Sequence, residues 1–346
     1  MIPCFDVAGN PFEMGVQIGK KAKRFIRPSV NFYQEHWKML YGKSFNEHLW
    51  LIESTIPYTA KLVPKTFDEL RGIAQGSGVP FNVLFLVNSI EALGQFNHEH
   101  CTSILIDAAR TKRQKLLLAH NEDWISFDAG QLYLLRGRPA GEPALLAFTY
   151  GAWIPQYGVN ANGLAFVADS NTATDVQPGL SQTFVGREVL RCKNIEDAVR
   201  RIRSLPRVDG HSYVLATPTE GMIVETTARQ TERLTLSIRR PILAHTNFYQ
   251  GKRTSLLEKE KRVQSRARHA RVVALLNDEQ ELFDEKPLRK ILSDHKKLPG
   301  SVCTHTTVPF KDATIAQLLI EPATRSIKVV AGNPCQGQSK PVHLSL

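Results

Sequence analysis

A cysteine and an Asn-x-Asp triplet are the residues of this sequence best placed to do chemistry. Cys101 opens the short apolar run 102–106, and a second apolar run, 116–119, precedes Asn121 and Asp123. Two such runs on either side of a basic turn predict a β-hairpin. The hairpin would bring the Asn121 amide and the Asp123 carboxylate back beside the Cys101 thiol, at one end of a sheet.

The Cys101 thiol needs a means of losing its proton. A free thiol is mostly protonated at neutral pH and requires a base or a positive field to become a thiolate. Few basic side chains lie close to Cys101 in sequence on the strand side. If the chain were cut just before Cys101, the new α-amino group, with a pKa of about 8, would itself be the base. No histidine would then be needed.

These residues resemble a known family of self-cleaving cysteine acyltransferases and hydrolases, typified by isopenicillin N acyltransferase and including the β-alanyl-amine hydrolases. The resemblance extends more distantly to the N-terminal-nucleophile hydrolases, such as the bile-salt and penicillin V acylases. In that family a precursor cuts itself before a Cys in a Cys-Thr-Ser or Cys-Thr-Thr context, and an Asn-x-Asp follows a strand. Cys101-Thr102-Ser103 and Asn121-Glu122-Asp123 match this pattern. The family commonly has Gly before the Cys, where this chain has His100.

A second match lies in the stretch 244–248, where the family carries an Asn whose side-chain N–H stabilises the tetrahedral oxyanion. The resemblance assigns that role to Asn247, and losing one such donor typically costs a factor of roughly 10² to 10³ in rate. It also points to Asn171, after the predicted hairpin 158–168, as a substrate or oxyanion ligand, although a turn-capping Asn is an equally good interpretation. Many members carry an Arg in the segment that corresponds to 303–305, where this chain has Thr304, so no Arg is assigned.

The resemblance implies a mechanism without a metal or other cofactor. Cys101 attacks the His100 carbonyl, and water then releases two subunits. The freed α-amino group activates the thiol, which attacks the amide or thioester of a small acylated compound. Asp123 positions the Cys101 amine, and Asn121 braces the turn or contacts the substrate. Water or an amine takes the acyl group, and the acyl and amine specificities are left open.

Two other functions remain open from the residues alone. A conventional Cys–His hydrolase, with His120, His245 or His305 as the base, would be active as an uncut chain. A noncatalytic binding protein on the same scaffold would keep Cys101 as a small buried apolar residue, which is what a strand cysteine ordinarily is.

A metal site is the last chemical alternative. His98 and His100 are two residues apart, as suits one face of a strand, and Cys303 and His305 are possible further ligands. The chain lacks the Cys-x-x-Cys or His-Glu-x-x-His spacing of dependable zinc sites. We therefore predict no metal.

Composition indicates an ordinary globular protein. The 346 residues are 42% hydrophobic and carry a net charge of +11. The basic balance suggests nucleic acid first, but no zinc-finger, RNA-binding or recognition-helix motif is present, so we predict no nucleic-acid partner. Five scattered cysteines argue against a disulfide framework and for a reducing compartment. No signal peptide or membrane-spanning run is evident, so we expect a cytoplasmic protein of undetermined oligomeric state.

The predicted elements change character at Cys101. Residues 1–95 are mostly helical, with Gly15 and Gly19 allowing close approach of another element, and the basic stretch 252–271 reads as a solvated helix. The chain after Cys101 is rich in strands. We predict one domain over 1–346, of α+β class, with the four-layer αββα sandwich of the N-terminal-nucleophile hydrolases. Cleavage would divide it into a helical small subunit, 1–100, and a large subunit, 101–346, that stay associated.

Overall fold

Two β-sheets face each other at the centre of the protein, and helices cover their outer faces. The computed structural model describes residues 2–93, 101–296, 300–336 and 342–346. One sheet has eight strands in the order β1-β4-β5-β6-β7-β8-β9-β10, and the other has six in the order β11-β2-β3-β12-β13-β14. The strands are β1 Cys4–Gly9, β2 Thr102–Ile106, β3 Leu117–Ile125, β4 Leu132–Pro139, β5 Leu145–Tyr150, β6 Tyr157–Asn160, β7 Ala165–Asn171, β8 Gly210–Ala216, β9 Gly221–Thr226, β10 Thr231–Thr235, β11 Ile242–His245, β12 Asp312–Glu321, β13 Ser326–Ala331 and β14 Val342–Ser345.

Among the described residues, ten α-helices form the outer layers and most of the N-terminal quarter of the chain. They are α1 Pro11–Lys21, α2 Lys23–Tyr41, α3 Phe45–Glu53, α4 Ile56–Leu62, α5 Pro64–Ser77, α6 Phe81–Asn88, α7 Gln182–Val189, α8 Ile195–Ser204, α9 Val263–Asp278 and α10 Glu285–Leu292. Together with the two sheets they form the predicted αββα sandwich, so the predicted fold class is confirmed. Within the described part of the chain, no helix has the length and apolar character required to cross a membrane.

The predicted hairpin is present and lies in the middle of the six-stranded sheet. Strand β2 pairs antiparallel with β3, and Thr102 lies opposite Asn121. Alternate side chains of β2 serve two different cores. Leu105 belongs to the main core, whereas Ile104 and Ile106 pack with α9 and α10 in a second cluster. Because both faces are covered, every residue of the strand is buried.

The predicted close approach at Gly15 and Gly19 is also confirmed. A Cβ at Gly15 would come within 2.0 Å of the Glu69 carbonyl oxygen, and a Cβ at Gly19 within 2.4 Å of the Ile73 carbonyl oxygen. Helix α1 therefore crosses α5 with backbone against backbone, which only glycine permits at these positions.

The structure differs from the sequence-based prediction in two places. Strand β1, which pairs parallel with β4, was not predicted because its partner is remote in sequence. The basic helix begins at Val263 rather than at Lys252. The Glu232 carboxylate accepts hydrogen bonds from the backbone N–H groups of Lys252, Arg253 and Thr254, so this segment satisfies its donors without forming a helix.

Candidate active site

Cys101 lies immediately before β2, at the mouth of the hairpin, and is 8% exposed. Its Sγ contacts the backbone carbonyl oxygen of Asp123 at 3.6 Å. Burial, followed by the negative charges of Glu122, Asp123 and Asp169, raises the pKa of the thiol well above its ordinary value. In the intact chain the thiol is therefore held protonated, and it needs a nearby base in order to react.

Asp123 brings a buried carboxyl group to the same place. The group is fully buried, and neither oxygen has a hydrogen-bonding partner among the described residues. Burial raises the pKa of Asp123 well above its usual range, and Thr314, Arg268 and Thr304 oppose that shift. The Thr314 and Thr304 hydroxyls lie beside the carboxyl group, but the contacts lack hydrogen-bond geometry. A buried acceptor without a partner costs roughly 1–3 kcal/mol, which a cation placed here would recover.

Arg268 is a site residue that was not predicted from the sequence. It lies on α9 with 1% exposure, and its Nη2 donates to Asn247 Oδ1 at 2.7 Å. The same nitrogen lies 3.5 Å from the Cys101 carbonyl oxygen, at the limit of a hydrogen bond. The signal was available, because Arg268 falls on the stripe of buried positions that also contains Val272 and Leu276. A charged residue on the buried stripe of a helix is a candidate for function.

Asn247 follows β11 and is linked to Cys101 through Arg268. Because a guanidinium only donates hydrogen bonds, it fixes the Asn247 amide with its oxygen toward Arg268. The Nδ2 group then donates to the carbonyl oxygen and hydroxyl of Ser170, at 3.0 and 3.2 Å. Ser170 lines the pocket at Cys101. The Asn247 amide donors thus contact atoms of Ser170, and the described pocket lining does not include Asn247, so its oxyanion role stays a prediction.

The other two predicted asparagines have different surroundings. Asn121 Nδ2 donates to the carbonyl oxygens of Leu292 and Val302, at 2.8 and 3.0 Å, so it braces the connection between α10 and β12. Asn171 Nδ2 donates to Ser212 Oγ at 2.8 Å. The described pocket lining includes Ser170 but not Asn171. Substrate binding by Asn171 stays a prediction.

His120 and His245, both on the six-stranded sheet, have their ring nitrogens engaged. His120 Nε2 lies 2.9 Å from Glu122 Oε2, and its Nδ1 lies 2.9 Å from Ser103 Oγ. His120 nevertheless has a ring nitrogen within 4.8 Å of the Cys101 sulfur.

His245 lies between two carboxylates on the facing sheet, with Nδ1 at 3.2 Å from Asp169 and Nε2 at 3.0 Å from Glu225. Burial alone would lower the pKa of His245, but these two acids raise it to about 9.

Cys101 opens into a narrow pocket between the sheets, with a cavity volume of about 30 Å³. Its walls combine aromatic rings with acidic and amide side chains, and the described lining includes no Lys or Arg. The lining residues are Glu91, Cys101, Glu122, Asp123, Trp124, Tyr150, Trp153, Gln156, Tyr157, Ala168, Ser170, Gln182, Thr183 and His211. A larger groove elsewhere, bounded by Lys115, Arg289 and Lys328, contains none of the predicted site residues.

In the pocket at Cys101, besides the two Asp123 oxygens, three polar atoms are buried without partners among the described residues: Trp153 Nε1, Gln156 Oε1 and Gln182 Nε2. Glu91 lies 3.3 Å from His211 and accepts the backbone N–H of Gln182 at 2.6 Å. His211 also lines the pocket at Cys101. The predicted cleavage-site residue His100 and the alternative metal ligand His98 lie outside the described residues.

Comparison with known proteins assigns the family. The family described as acyl-coenzyme A:6-aminopenicillanic acid acyltransferase matches residues 109–336, which include Asp123 and Asn247 and begin after Cys101. The chain is 25% identical over 218 residues to the β-alanyl-dopamine/carcinine hydrolase of Drosophila melanogaster, covering 56% of this chain and 54% of the relative. The chain thus matches about half the length of that curated relative.

Among solved structures, penicillin V acylase from Agrobacterium tumefaciens is similar, with a TM-score of 0.46, 14% identity and coverage of 71% of this chain and 86% of that one. A variant of the conjugated bile acid hydrolase from Clostridium perfringens has a TM-score of 0.46 and 12% identity, and covers 71% and 92% of the two chains. The sequence match spans well over half of the 346 residues. The chain therefore belongs to the acyl-coenzyme A:6-aminopenicillanic acid acyltransferase family.

Proposed function

We propose that this protein is a self-processing amidohydrolase or acyltransferase whose nucleophile is Cys101 at a new N-terminus. The observation that carries the proposal is the pairing of a buried thiol of raised pKa with the partnerless buried carboxyl group of Asp123. A free α-amino group on Cys101 would supply what each of them lacks. It is a base for the thiol and, once protonated, a cation for the carboxylate.

The processing step needs no reactant other than water. Cys101 Sγ forms a bond to the His100 carbonyl carbon, the peptide bond between His100 and Cys101 breaks, and the thiol proton ends on the nitrogen that becomes the α-amine. Water then hydrolyses the thioester, which regenerates the thiol and leaves His100 with a carboxylate. Residues 1–100 and 101–346 would become the two subunits.

In turnover, the α-amine takes the thiol proton and Asp123 stabilises the resulting ammonium. The thiolate attacks the substrate carbonyl, and the donors around Asn247 hold the oxyanion. Arg268 keeps Asn247 oriented and contributes positive potential beside the developing charge. Asn171 is a further proposed ligand, and Asn121 a bracing residue. The tetrahedral intermediate then collapses, the bond to the amine or thiol of the substrate breaks, and the Cys101 ammonium gives its proton to that leaving group. Water or an amine then takes the acyl group from the thioester and restores the Cys101 thiol.

The Cys–His alternative is less well supported. A general base needs a lone pair directed at the thiol, and both nitrogens of His120 and of His245 already have other partners. His305 belongs to a separate cluster with Cys303. The noncatalytic alternative leaves unexplained why a buried carboxyl group lies beside a thiol in a pocket without a hydrogen-bonding partner among the described residues.

The pocket favours small amides that carry a positive charge. Glu91 and Glu122 add two carboxyl groups to the wall, opposite in sign to the net charge of +11 of the whole chain. The β-alanyl amides named for the Drosophila relative carry such a cationic amine. We propose a substrate of this class, and a reducing compartment such as the cytoplasm, in keeping with five free thiols.

Intact mass under reducing conditions tests the proposal. We expect the wild-type chain to give two fragments that break between His100 and Cys101, and Cys101→Ala to give one uncut chain without activity. Cys192→Ala, which removes a partly buried thiol elsewhere, should be cut and active like the wild type.

The processed protein is then assayed on matched β-alanyl and neutral acyl amides, with the cationic series turned over faster. An uncut wild-type chain that still hydrolyses amides would rule out the N-terminal nucleophile and leave the Cys–His mechanism. An uncut and inactive chain would favour a binding protein.

A further inference from the structure

A second cluster of cysteines and histidines lies outside the pocket, at the edge of the six-stranded sheet. His295 follows α10, Cys303 and His305 lie in the connection to β12, and Cys335 follows β13. One ligand atom from each of the four residues lies within 4.8 Å of the other three. We propose that these four side chains bind a structural zinc ion.

The distances between the four atoms match the edges of a zinc tetrahedron. Zinc bonds of about 2.3 Å to sulfur and about 2.0–2.1 Å to nitrogen imply edges of about 3.8 Å between two sulfurs, about 3.5 Å between sulfur and nitrogen, and about 3.3 Å between two nitrogens. Cys303 Sγ lies 3.7 Å from Cys335 Sγ and 3.5 Å from His305 Nε2. His305 Nε2 lies 3.2 Å from Cys335 Sγ and 3.0 Å from His295 Nε2.

The chemistry of the ligand set favours zinc. Two sulfur and two imidazole ligands in a tetrahedron are typical of structural zinc sites, and two thiolates balance the charge of the ion. Asn333 Nδ2 lies 3.5 Å from Cys303 Sγ, where its N–H stabilises a thiolate as outer-shell donors do. His295 is exposed, which gives the ion a path from solvent. All four positions come from the protein, so the site is structural and not catalytic.

The zinc would hold together the wall behind the nucleophile. Thr304 lies between two of the ligands and beside Asp123, and its carbonyl oxygen accepts Asn333 Nδ2 at 2.7 Å. The Val302 carbonyl accepts Asn121 Nδ2 in the same connection. The ion would join the connection between α10 and β12 to the segment that follows β13.

Zinc content of the purified full chain, measured by plasma mass spectrometry after dialysis against a weak chelator, tests the site. We expect one zinc per chain in the wild type and in Cys192→Ala, and at least a tenfold loss in Cys335→Ala. Cys101→Ala should keep its zinc, which separates this site from the other close set of possible ligands, Cys101, His120 and Glu122. Retention of zinc in Cys101→Ala also keeps this result independent of chain cleavage.

A folding defect in Cys335→Ala is controlled in the wild type itself. Stripping the metal with a strong chelator should lower the melting temperature, and added zinc should restore it. Cobalt in its place should give the visible bands of a tetrahedral, sulfur-ligated ion. Wild-type protein that carries no zinc and takes up no cobalt would overturn the site. A mass lower by the two hydrogens of a Cys303–Cys335 disulfide would overturn it as well.

Discussion

At the scale of single residues, the protonation of two buried groups controls the proposed chemistry. The Cys101 thiol and the Asp123 carboxyl group each have a pKa raised by burial. In the intact chain neither the thiol nor the carboxyl group readily takes its charged form, so the pair is unreactive. An α-amine between them would change both at once, because its ammonium form favours a thiolate on one side and a carboxylate on the other. Cleavage would therefore free the α-amine of Cys101 and, through that amine, favour the thiolate form of its side chain.

Asp123→Asn should separate these roles, because it keeps the shape of the side chain and removes the charge. We expect kcat/KM for amide hydrolysis to fall about 100-fold, since the ammonium–thiolate pair loses its counter-ion. Alkylation of Cys101 in the processed variant should also require a higher pH. Asp175→Asn, whose carboxylate accepts from Thr227 Oγ1 at 2.6 Å in a remote loop, is the matched control. If the rate of Cys101 alkylation depends on pH in Asp123→Asn as it does in the wild type, the role given to Asp123 is contradicted.

At the scale of elements, the position of Asn247 depends on how β11 is held. This edge strand ends at His245, whose ring reaches across to Asp169 of β7 and Glu225 of β9 on the facing sheet. The Glu225 carboxylate also accepts the backbone N–H groups of Gln250 and Gly251. A charged imidazole between two acids thus links the sheets immediately before the Thr246-Asn247 turn.

This link makes stability depend on pH. Because the pKa of His245 is about 9 in the folded protein and about 6.5 when unfolded, its contribution is complete below about pH 6.5. It is lost as the pH rises to about 9. Between these values the wild type should lose up to about 3 kcal/mol of unfolding free energy relative to His245→Gln.

Denaturant titrations between pH 6 and 9.5 measure this difference. His36→Gln, a partly buried histidine on α2, should keep the wild-type dependence on pH. If plots of unfolding free energy against pH are parallel for the wild type and His245→Gln, His245 is not charged in the folded state.

At the scale of the whole molecule, the two proposed subunits are interleaved rather than docked. Strand β1 of the N-terminal segment pairs with β4, so it forms one edge of the eight-stranded sheet. Glu69 on α5 is 1% exposed, and its carboxylate lies 2.9 Å from Arg187 on α7. Arg191 also reaches Glu69, at 3.1 Å. Cutting one peptide bond would leave all of these contacts in place.

The cleaved protein should therefore elute as one species in native size-exclusion chromatography and separate only in denaturant. Glu69→Ala leaves Arg187 as a buried charge without its main partner, so we expect a loss of about 3 kcal/mol in unfolding free energy. Asp68→Ala is the matched control, because the Asp68 carboxylate is 48% exposed and pairs with Arg71 of the same helix. Separate elution of the fragments in native buffer would refute the interleaved assembly.

Some features were determined by the sequence because they are local. The hairpin that carries Cys101, Asn121 and Asp123 spans about two dozen residues, and its apolar runs allow only one face pattern and one register. The short turn 161–163 and the end of α5 at Gly78, with a φ of 72°, follow equally from residue type. The family motifs lie in such local segments, so their residues could be predicted from the sequence.

Only the tertiary structure decided which distant residues meet. Arg268 looked like one of many solvated charges, and packing of α9 against the six-stranded sheet is what buries it beside Cys101. The four Cys and His side chains of the proposed zinc site come from three segments without a recognisable spacing. The burial that sets the pKa values of Cys101 and Asp123 likewise comes from both sheets together. Spacing along a chain records local geometry, whereas contact and burial depend on how the whole chain packs.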